Sequence, residues 1–128
     1  MRLAILADAR DGRDLYALAL ALCALNLAWM RSHSAPPLYR AGVRYRRERR
    51  GTNGRRKEEW LTAPVLLQRG HGDCEDLACY RVAELQAAGD TQAKPRLTRH
   101  GRTWHVTVLR GDGRIEDPSK RLGMRGTA

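Results

Sequence analysis

Apolar residues form one long run in the N-terminal part of the chain, Leu15–Met30, interrupted by Asn26. The run's Leu, Ala and Cys content predicts a buried helix over residues 14–31, with Asp11 or Asp14 as its N-cap. A membrane-spanning helix needs about 20 apolar residues, so the run is short for a membrane. Basic residues before the run also suit a signal peptide, but three aspartates lie among them, which favours a buried helix.

A second helix is predicted from residue 73 onward, because apolar residues recur there at steps of three and four: Cys74, Leu77, Ala78, Val82 and Leu85. Asp73 is a suitable N-cap for this helix, and Gly89 is placed to end it. A short buried helical turn is expected at Val65–Leu67.

The C-terminal third predicts antiparallel strands. Arg96–His100 and Thr103–Arg110 are rich in strand-forming residues. Gly111-Asp112-Gly113 predicts a hairpin turn, and Arg114–Asp117 is the returning strand, which Pro118 ends. Helices followed by antiparallel strands predict an α+β fold, and 128 residues suit one domain.

Positive charge is concentrated in residues 40–57. The chain has a formal net charge of +10, and this Arg-rich segment carries nine basic residues and one acid, or +8. It predicts an arm or loop, mobile or two-stranded, with a turn at Gly51–Gly54. Such a segment is either simply solvated or contacts an acidic protein or nucleic acid through Arg44–Lys57.

Three cysteines form no disulfide framework, so a reducing compartment, the cytoplasm, is expected. Cys23 and Cys79 are predicted to be packing residues, and Trp60 a core residue. A zinc site could combine His71, Cys74 and Cys79 with a further histidine. No paired Cys-x-x-Cys is present, which disfavours this alternative.

Cys74 is the candidate nucleophile, because a helix N-terminus favours a thiolate. The neighbouring acids Asp73, Glu75 and Asp76 oppose a thiolate, so the chemistry requires an imidazole beside the sulfur. The glycines of the Gly70–Gly72 segment are expected to leave room for a substrate backbone.

His105 and Asp117 are the candidate base and orienting carboxylate. His105 shares a polar strand face with Thr103 and Thr107. With a three-residue hairpin loop, Thr107 pairs with Asp117, which makes Asp117 the diagonal neighbour of His105 at about 7–8 Å, within side-chain reach. The chain order is then nucleophile, base and carboxylate.

Several segments between Trp60 and Lys120 carry a family resemblance: Trp60-Leu-Thr-Ala-Pro64, Gly70-His-Gly-Asp-Cys-Glu-Asp76, His105-Val106 and Glu116-Asp117-Pro118-Ser119. Together they resemble bacterial transglutaminase-like cysteine proteinases of the papain-like superfamily. The resemblance implies a cysteine on a helix packed against an antiparallel sheet that bears the histidine and aspartate. The short chain further suggests a small, phage-encoded member.

The resemblance implies roles for individual residues. Cys74 would be the nucleophile, His105 the general base and Asp117 its orienting group, with Gln68 as an oxyanion-hole donor. Asp73 and Glu75 would be calcium ligands in members that bind calcium, although no cofactor is required. The expected activity is hydrolysis or acyl transfer at a peptide or isopeptide bond of a protein or peptide substrate.

Two other functions remain open. The first is a non-enzymatic virion or assembly protein that keeps the fold and docks through the Arg-rich segment. The second is a nucleic-acid binder that uses the same segment, with Tyr39 and Tyr45 as a small stacking platform. The expected location is the cytoplasm, of the host or within a virion for a phage protein, with no membrane partner.

Overall fold

Two helices, α1 (Gly12–Ser32) and α3 (Cys74–Ala87), pack against each other. The structure is a computed structural model that describes residues 4–7, 12–47 and 58–125. The other elements are β1 (Ala4–Ala7), a 3₁₀ helix (Leu38–Arg40), β2 (Arg44–Tyr45), β3 (Glu58–Leu61), α2 (Ala63–Arg69), β4 (His71–Gly72), β5 (Lys94–His100), β6 (Thr103–Leu109), β7 (Ile115–Glu116) and α4 (Pro118–Arg121). Four helices with small sheets make this an α+β fold, as predicted.

Helix α3 is buried on nearly every side because it separates two apolar cores. One core lies between α3, α1 and the antiparallel sheet β5-β6-β7, and includes Trp60, Val106 and Val108. The other lies between α3, α2 and the 3₁₀ helix, and includes Leu38 and Tyr80. The buried position of Trp60 confirms its prediction as a core residue.

The hairpin register agrees with the sequence prediction. The Arg110 N–H donates to the Arg114 carbonyl at 2.8 Å, and Val108 pairs with Glu116. By the alternation of an antiparallel ladder, Asp117 lies opposite Thr107, one step beyond the last paired residue of β7. The register therefore brings Asp117 to the part of β6 that carries His105.

Asn26, the polar residue within the apolar run, is fully buried in α1. Its Oδ1 accepts a hydrogen bond of 2.7 Å from the Ala63 N–H, one of the free donors at the start of α2. The asparagine therefore joins two helices. By length and composition α1 could cross a membrane, a property shared by core helices and signal sequences.

The first part of the Arg-rich segment contributes a short strand to the fold, whereas the predicted arm or loop over residues 40–57 as a whole stays a prediction. Val43 is only 2% exposed, and β2 pairs in parallel with β4, with Arg44 beside His71 and Tyr45 beside Gly72. Val43, just before this strand, packs in the second core. Residues 48–57, with the predicted turn, lie outside the described part of the chain.

Candidate active site

Cys74 is the first residue of α3 and is 7% exposed. Asp73 caps the helix, as predicted, and accepts a hydrogen bond of 2.7 Å from the Cys74 N–H. The Asp76 side chain closes a capping box by accepting from the Asp73 N–H at 3.0 Å. Asp76 also accepts from the Leu61 N–H at 2.7 Å, so β3 is tied to the same helix start. The acids next to Cys74 therefore serve in part to fix its position.

The two glycines before Cys74 have structural roles that differ from the predicted room for substrate. Gly70 ends α2 with a φ of 76°, a left-handed conformation that favours glycine. Gly72 is buried, and a Cβ there would lie 2.7 Å from the Leu66 Cδ1 and 2.9 Å from the Asp76 Cβ. The space at Gly72 is therefore filled by the protein's own side chains.

His105 and Asp117 are in direct contact. The His105 Nε2 lies 2.8 Å from the Asp117 Oδ2, and both side chains are about four-fifths buried, with 18% and 20% exposure. The other carboxylate oxygen, Oδ1, accepts from the Lys120 N–H at 3.2 Å and caps α4. This arrangement favours a proton on Nε2, which leaves Nδ1 of the imidazole as the basic nitrogen.

The Cys74 sulfur reaches the same strand through the backbone. The N–H of Val106, the residue that follows His105, adjoins the sulfur and acts to lower the pKa of the Cys74 thiol. N–H groups alternate in direction along a strand, so the Val106 N–H points to the same edge of β6 as that of Val108, which pairs with Glu116 of β7. Because β7 ends at Glu116, no residue of β7 pairs with Val106. The short third strand thus leaves a backbone donor available for the thiol. Sequence reasoning missed this donor.

Cys74 is held as a thiol. Its S–H donates to the Glu75 Oε2 at 3.4 Å. Burial, followed by the charges of Glu75 and Asp73, raises the pKa of the Cys74 thiol well above its ordinary value, and the Val106 N–H opposes this only in part. The thiol therefore needs a base before it can act as a nucleophile at neutral pH.

A charged network adjoins Asp117 and was not predicted from the sequence. The Glu116 Oε1 accepts from the Tyr39 hydroxyl at 2.9 Å and from the Arg81 Nε at 3.0 Å, and the Arg110 Nη1 lies 3.4 Å from Oε2. Burial raises the pKa of Glu116, but the Arg81 and Tyr39 hydrogen bonds outweigh it and hold the pKa below its ordinary value. The network fixes β7 immediately before Asp117.

Gln68 is exposed on α2, and among the described residues no hydrogen bond joins it to Cys74 or His105. Its oxyanion-hole role stays a prediction. Cys79 lies in the core, where its thiol donates to the Ala19 carbonyl at 3.5 Å, so the zinc grouping is not formed. Cys79 and Cys23 are buried free thiols, which agrees with their predicted packing role.

One set of side chains in the described part of the chain could approach a metal ion: Asp73, Cys74 and Glu75, whose ligand atoms lie within 4.8 Å of one another. Calcium takes six to eight hard oxygen ligands. This set offers two carboxylates and a soft sulfur, and the Asp73 carboxylate already caps α3. The donors do not fit calcium, and no catalytic step is assigned to a metal.

A cleft of about 260 Å³ opens beside the start of α3. It is lined by charged and polar groups from four elements and by Leu61: Arg46, Arg47, Glu59, Leu61, Arg69, His71, Gly72, Asp73 and Asp76. In the wall of the cleft, the Arg69 Nη2 forms an ion pair with the Glu59 Oε1 at 2.7 Å. The cleft is thus polar, and the residues just before Cys74 form one of its walls.

No family model matches this chain, and neither a curated protein nor a solved structure matches it.

Proposed function

We propose that the protein is a thiol hydrolase or acyltransferase of the transglutaminase-like, papain-like type. Cys74 would be the nucleophile, His105 the base and Asp117 the orienting group. The observation that carries the proposal is the contact of 2.8 Å between the His105 Nε2 and the Asp117 Oδ2. His105 precedes Val106, whose N–H adjoins the Cys74 sulfur. The motif resemblance between Trp60 and Lys120 supports the same assignment.

The reaction begins with proton removal, because Cys74 rests as a thiol. His105 takes the proton at Nδ1, and the sulfur forms a bond with the substrate's carbonyl carbon. The imidazolium, stabilised by Asp117, then protonates the amine as the carbon–nitrogen bond breaks, which leaves a thioester on Cys74. Water, or a second amine, then attacks the thioester carbonyl and gives a proton to His105. The carbon–sulfur bond breaks, the acyl group leaves as an acid or an amide, and the imidazolium returns its proton to the Cys74 sulfur.

The substrate is proposed to be a protein or peptide that lies along the polar cleft. Arg46 and Arg47 are exposed on the cleft and suit acidic groups on that substrate. The free thiols agree with a reducing compartment, so we place the protein in the cytoplasm or, for a phage protein, in the host cell or virion.

The test is acylation by an activated ester. p-Nitrophenyl acetate should acetylate Cys74 as a thioester, detected by peptide mass mapping, and the thioester should then hydrolyse with turnover. Cys74→Ala should abolish the product. Cys23→Ala, which removes a different buried thiol, should leave it unchanged. A primary amine added to the reaction distinguishes amine transfer from hydrolysis by the product formed.

A non-enzymatic assembly role is the second candidate function. It is favoured by two contacts that oppose catalysis: the Cys74 S–H donates to Glu75, and the Cys74 N–H is taken by Asp73. If the ester labels the three cysteines equally, and Cys74→Ala retains biological function with an intact fold, the protein is an assembly component and not an enzyme.

A further inference from the structure

Helix α1 buries one side and exposes an apolar side. Leu15, Ala19, Leu22, Cys23 and Asn26 are its buried residues. In its most apolar stretch of 18 residues, only 28% of positions are buried. Ten residues of α1 are exposed, and all but the terminal Arg13 and Ser32 define the outer face of α1: Asp14, Ala17, Leu20, Ala21, Ala24, Leu25, Ala28 and Arg31. Leu20 and Leu25 on this face are 43% and 39% exposed.

The outer face of α1 is symmetric about the midpoint between residues 22 and 23. Its members form four pairs equidistant from that midpoint: 14 with 31, 17 with 28, 20 with 25, and 21 with 24. The pairs match in chemistry: an acid with a base, alanine with alanine, leucine with leucine, and alanine with alanine. Positions 14, 17, 21, 24, 28 and 31 follow one another at steps of three and four, so they lie in one row along the helix, which we call the seam.

We propose that the outer face of α1 binds a second copy of this chain, with the two helices antiparallel around a two-fold axis at that midpoint. A two-fold interface must be self-complementary, and the paired positions meet this condition from Asp14 to Arg31, with Arg13 opposite the partner's Ser32 beyond them. Asp14 faces the partner's Arg31 at both ends, and Leu20 packs against the partner's Leu25 on either side of the seam. This inference does not depend on the proposed function.

Charge complementarity selects this partner. Asp14 and Arg31 lie at opposite ends of a face about 26 Å long, so only an antiparallel copy brings unlike charges together at both ends. The alanines of the seam allow the helices to approach to the lower end of the usual 8–10 Å range. A bilayer would require apolar residues all round the helix, whereas the opposite side holds Asn26 in a hydrogen bond to Ala63.

One helix pair is a small interface, so the dimer is expected to form and dissociate with concentration. Sedimentation velocity on the full chain across micromolar concentrations should show a monomer–dimer equilibrium. Each substitution occurs in both copies of a two-fold dimer, so Ala21→Glu and Ala24→Glu each place two carboxylates in the seam. Both variants should be monomeric at every concentration tested. Ala87→Glu, at an exposed helical alanine on α3, is the matched control and should dimerise as the wild type does.

The direction of pairing is tested by charge exchange. Asp14→Arg or Arg31→Asp alone sets like charges against each other at both ends and should weaken the dimer several-fold at low salt. The double variant restores unlike pairs and should recover the wild-type dissociation constant, even though it keeps any cost to helix stability from either change. Circular dichroism checks that each variant is folded.

Three results would overturn the proposal. The first is a wild-type chain that is monomeric at every concentration. The second is a dimer unaffected by Ala21→Glu and Ala24→Glu, which would place the interface elsewhere. The third is binding of the monomer to neutral phosphatidylcholine vesicles through α1, which would make the outer face a membrane contact.

Discussion

The two sides of the candidate site are held by different contacts. On the base side, formed by His105 and Asp117, the imidazole and carboxylate are joined at 2.8 Å and lie beside the Glu116 network. On the nucleophile side, formed by Cys74 and Glu75, the thiol is almost fully buried and donates its proton to a carboxylate at 3.4 Å. On the base side two polar side chains contact each other, as the proposed proton transfer requires, while the contacts on the nucleophile side stabilise the neutral thiol.

This difference bears on how the proposed reaction would begin. Many active-site cysteines are stable thiolates because a neighbouring cation lowers their pKa. Here burial and two acids raise the pKa of Cys74, so a preformed ion pair is disfavoured. In the reaction proposed above, proton removal would accompany attack on the substrate, so we expect the rate to depend on His105 more than on the position of Cys74 at a helix start.

Loss of the base should produce the largest effect. His105→Ala is expected to slow acetylation of Cys74 at neutral pH by about 100-fold or more, because general-base catalysis contributes about 10²–10⁴-fold. The rate is measured with p-nitrophenyl acetate under single-turnover conditions. His100→Ala, an exposed histidine at the end of β5, is the control and should match the wild type. Equal rates in the two variants would exclude His105 as the base.

A smaller loss is expected from Asp117→Asn. Asparagine keeps the N-cap of α4, so the fold is retained, but it no longer stabilises an imidazolium. Acetylation should fall by at least about tenfold, and the pH dependence should change with it. Asp112→Asn, an exposed hairpin acid, serves as the control. An unchanged pH profile would show that Asp117 acts only as a helix cap.

The nucleophile side should respond in the opposite direction. Glu75→Gln removes the charge that opposes a thiolate next to Cys74, so alkylation of Cys74 by iodoacetamide at neutral pH should become several-fold faster. Site-resolved mass spectrometry gives the rate for each cysteine. Cys23 and Cys79 should keep their wild-type rates. A slower reaction at Cys74 would mean that Glu75 assists ionisation and would reverse this part of the comparison.

Glu116→Gln tests whether the Glu116 network stabilises the base side. Of these variants it should change the rate of Cys74 acetylation least. Loss of charged hydrogen bonds to Arg81 and Tyr39 should lower the free energy of unfolding by about 1–3 kcal/mol at neutral pH. The pKa of Glu116 is lower in the folded chain, so its stabilisation is present above the unfolded-state pKa and is lost as pH falls through the folded-state value. Urea unfolding should therefore show a smaller difference between variant and wild type in acid, and a pH-independent difference would contradict this origin.

Much of the framework could be predicted from local patterns. The helix-period spacing after Asp73 predicted α3, and the Gly111–Gly113 turn set the register that brings Asp117 towards His105. Both depend on residues close in sequence, whose side-chain periodicity and turn chemistry determine the geometry.

The remaining features depend on contacts distant in sequence. The pairing of β2 with β4 involves only two residues per strand, too few for a periodic signal, so Val43 gave no sign of burial. The open Val106 N–H likewise results from where β7 ends in space.

The central claim is that His105 provides the base for a buried, neutral Cys74 thiol. The most direct measurement is the pH dependence of Cys74 alkylation, resolved by mass spectrometry, in the wild type and in His105→Ala. We expect the wild type to react at neutral pH and His105→Ala to react only in alkaline solution, because burial and the acids raise the pKa of the isolated thiol. Superimposable pH profiles for the two proteins would contradict the account.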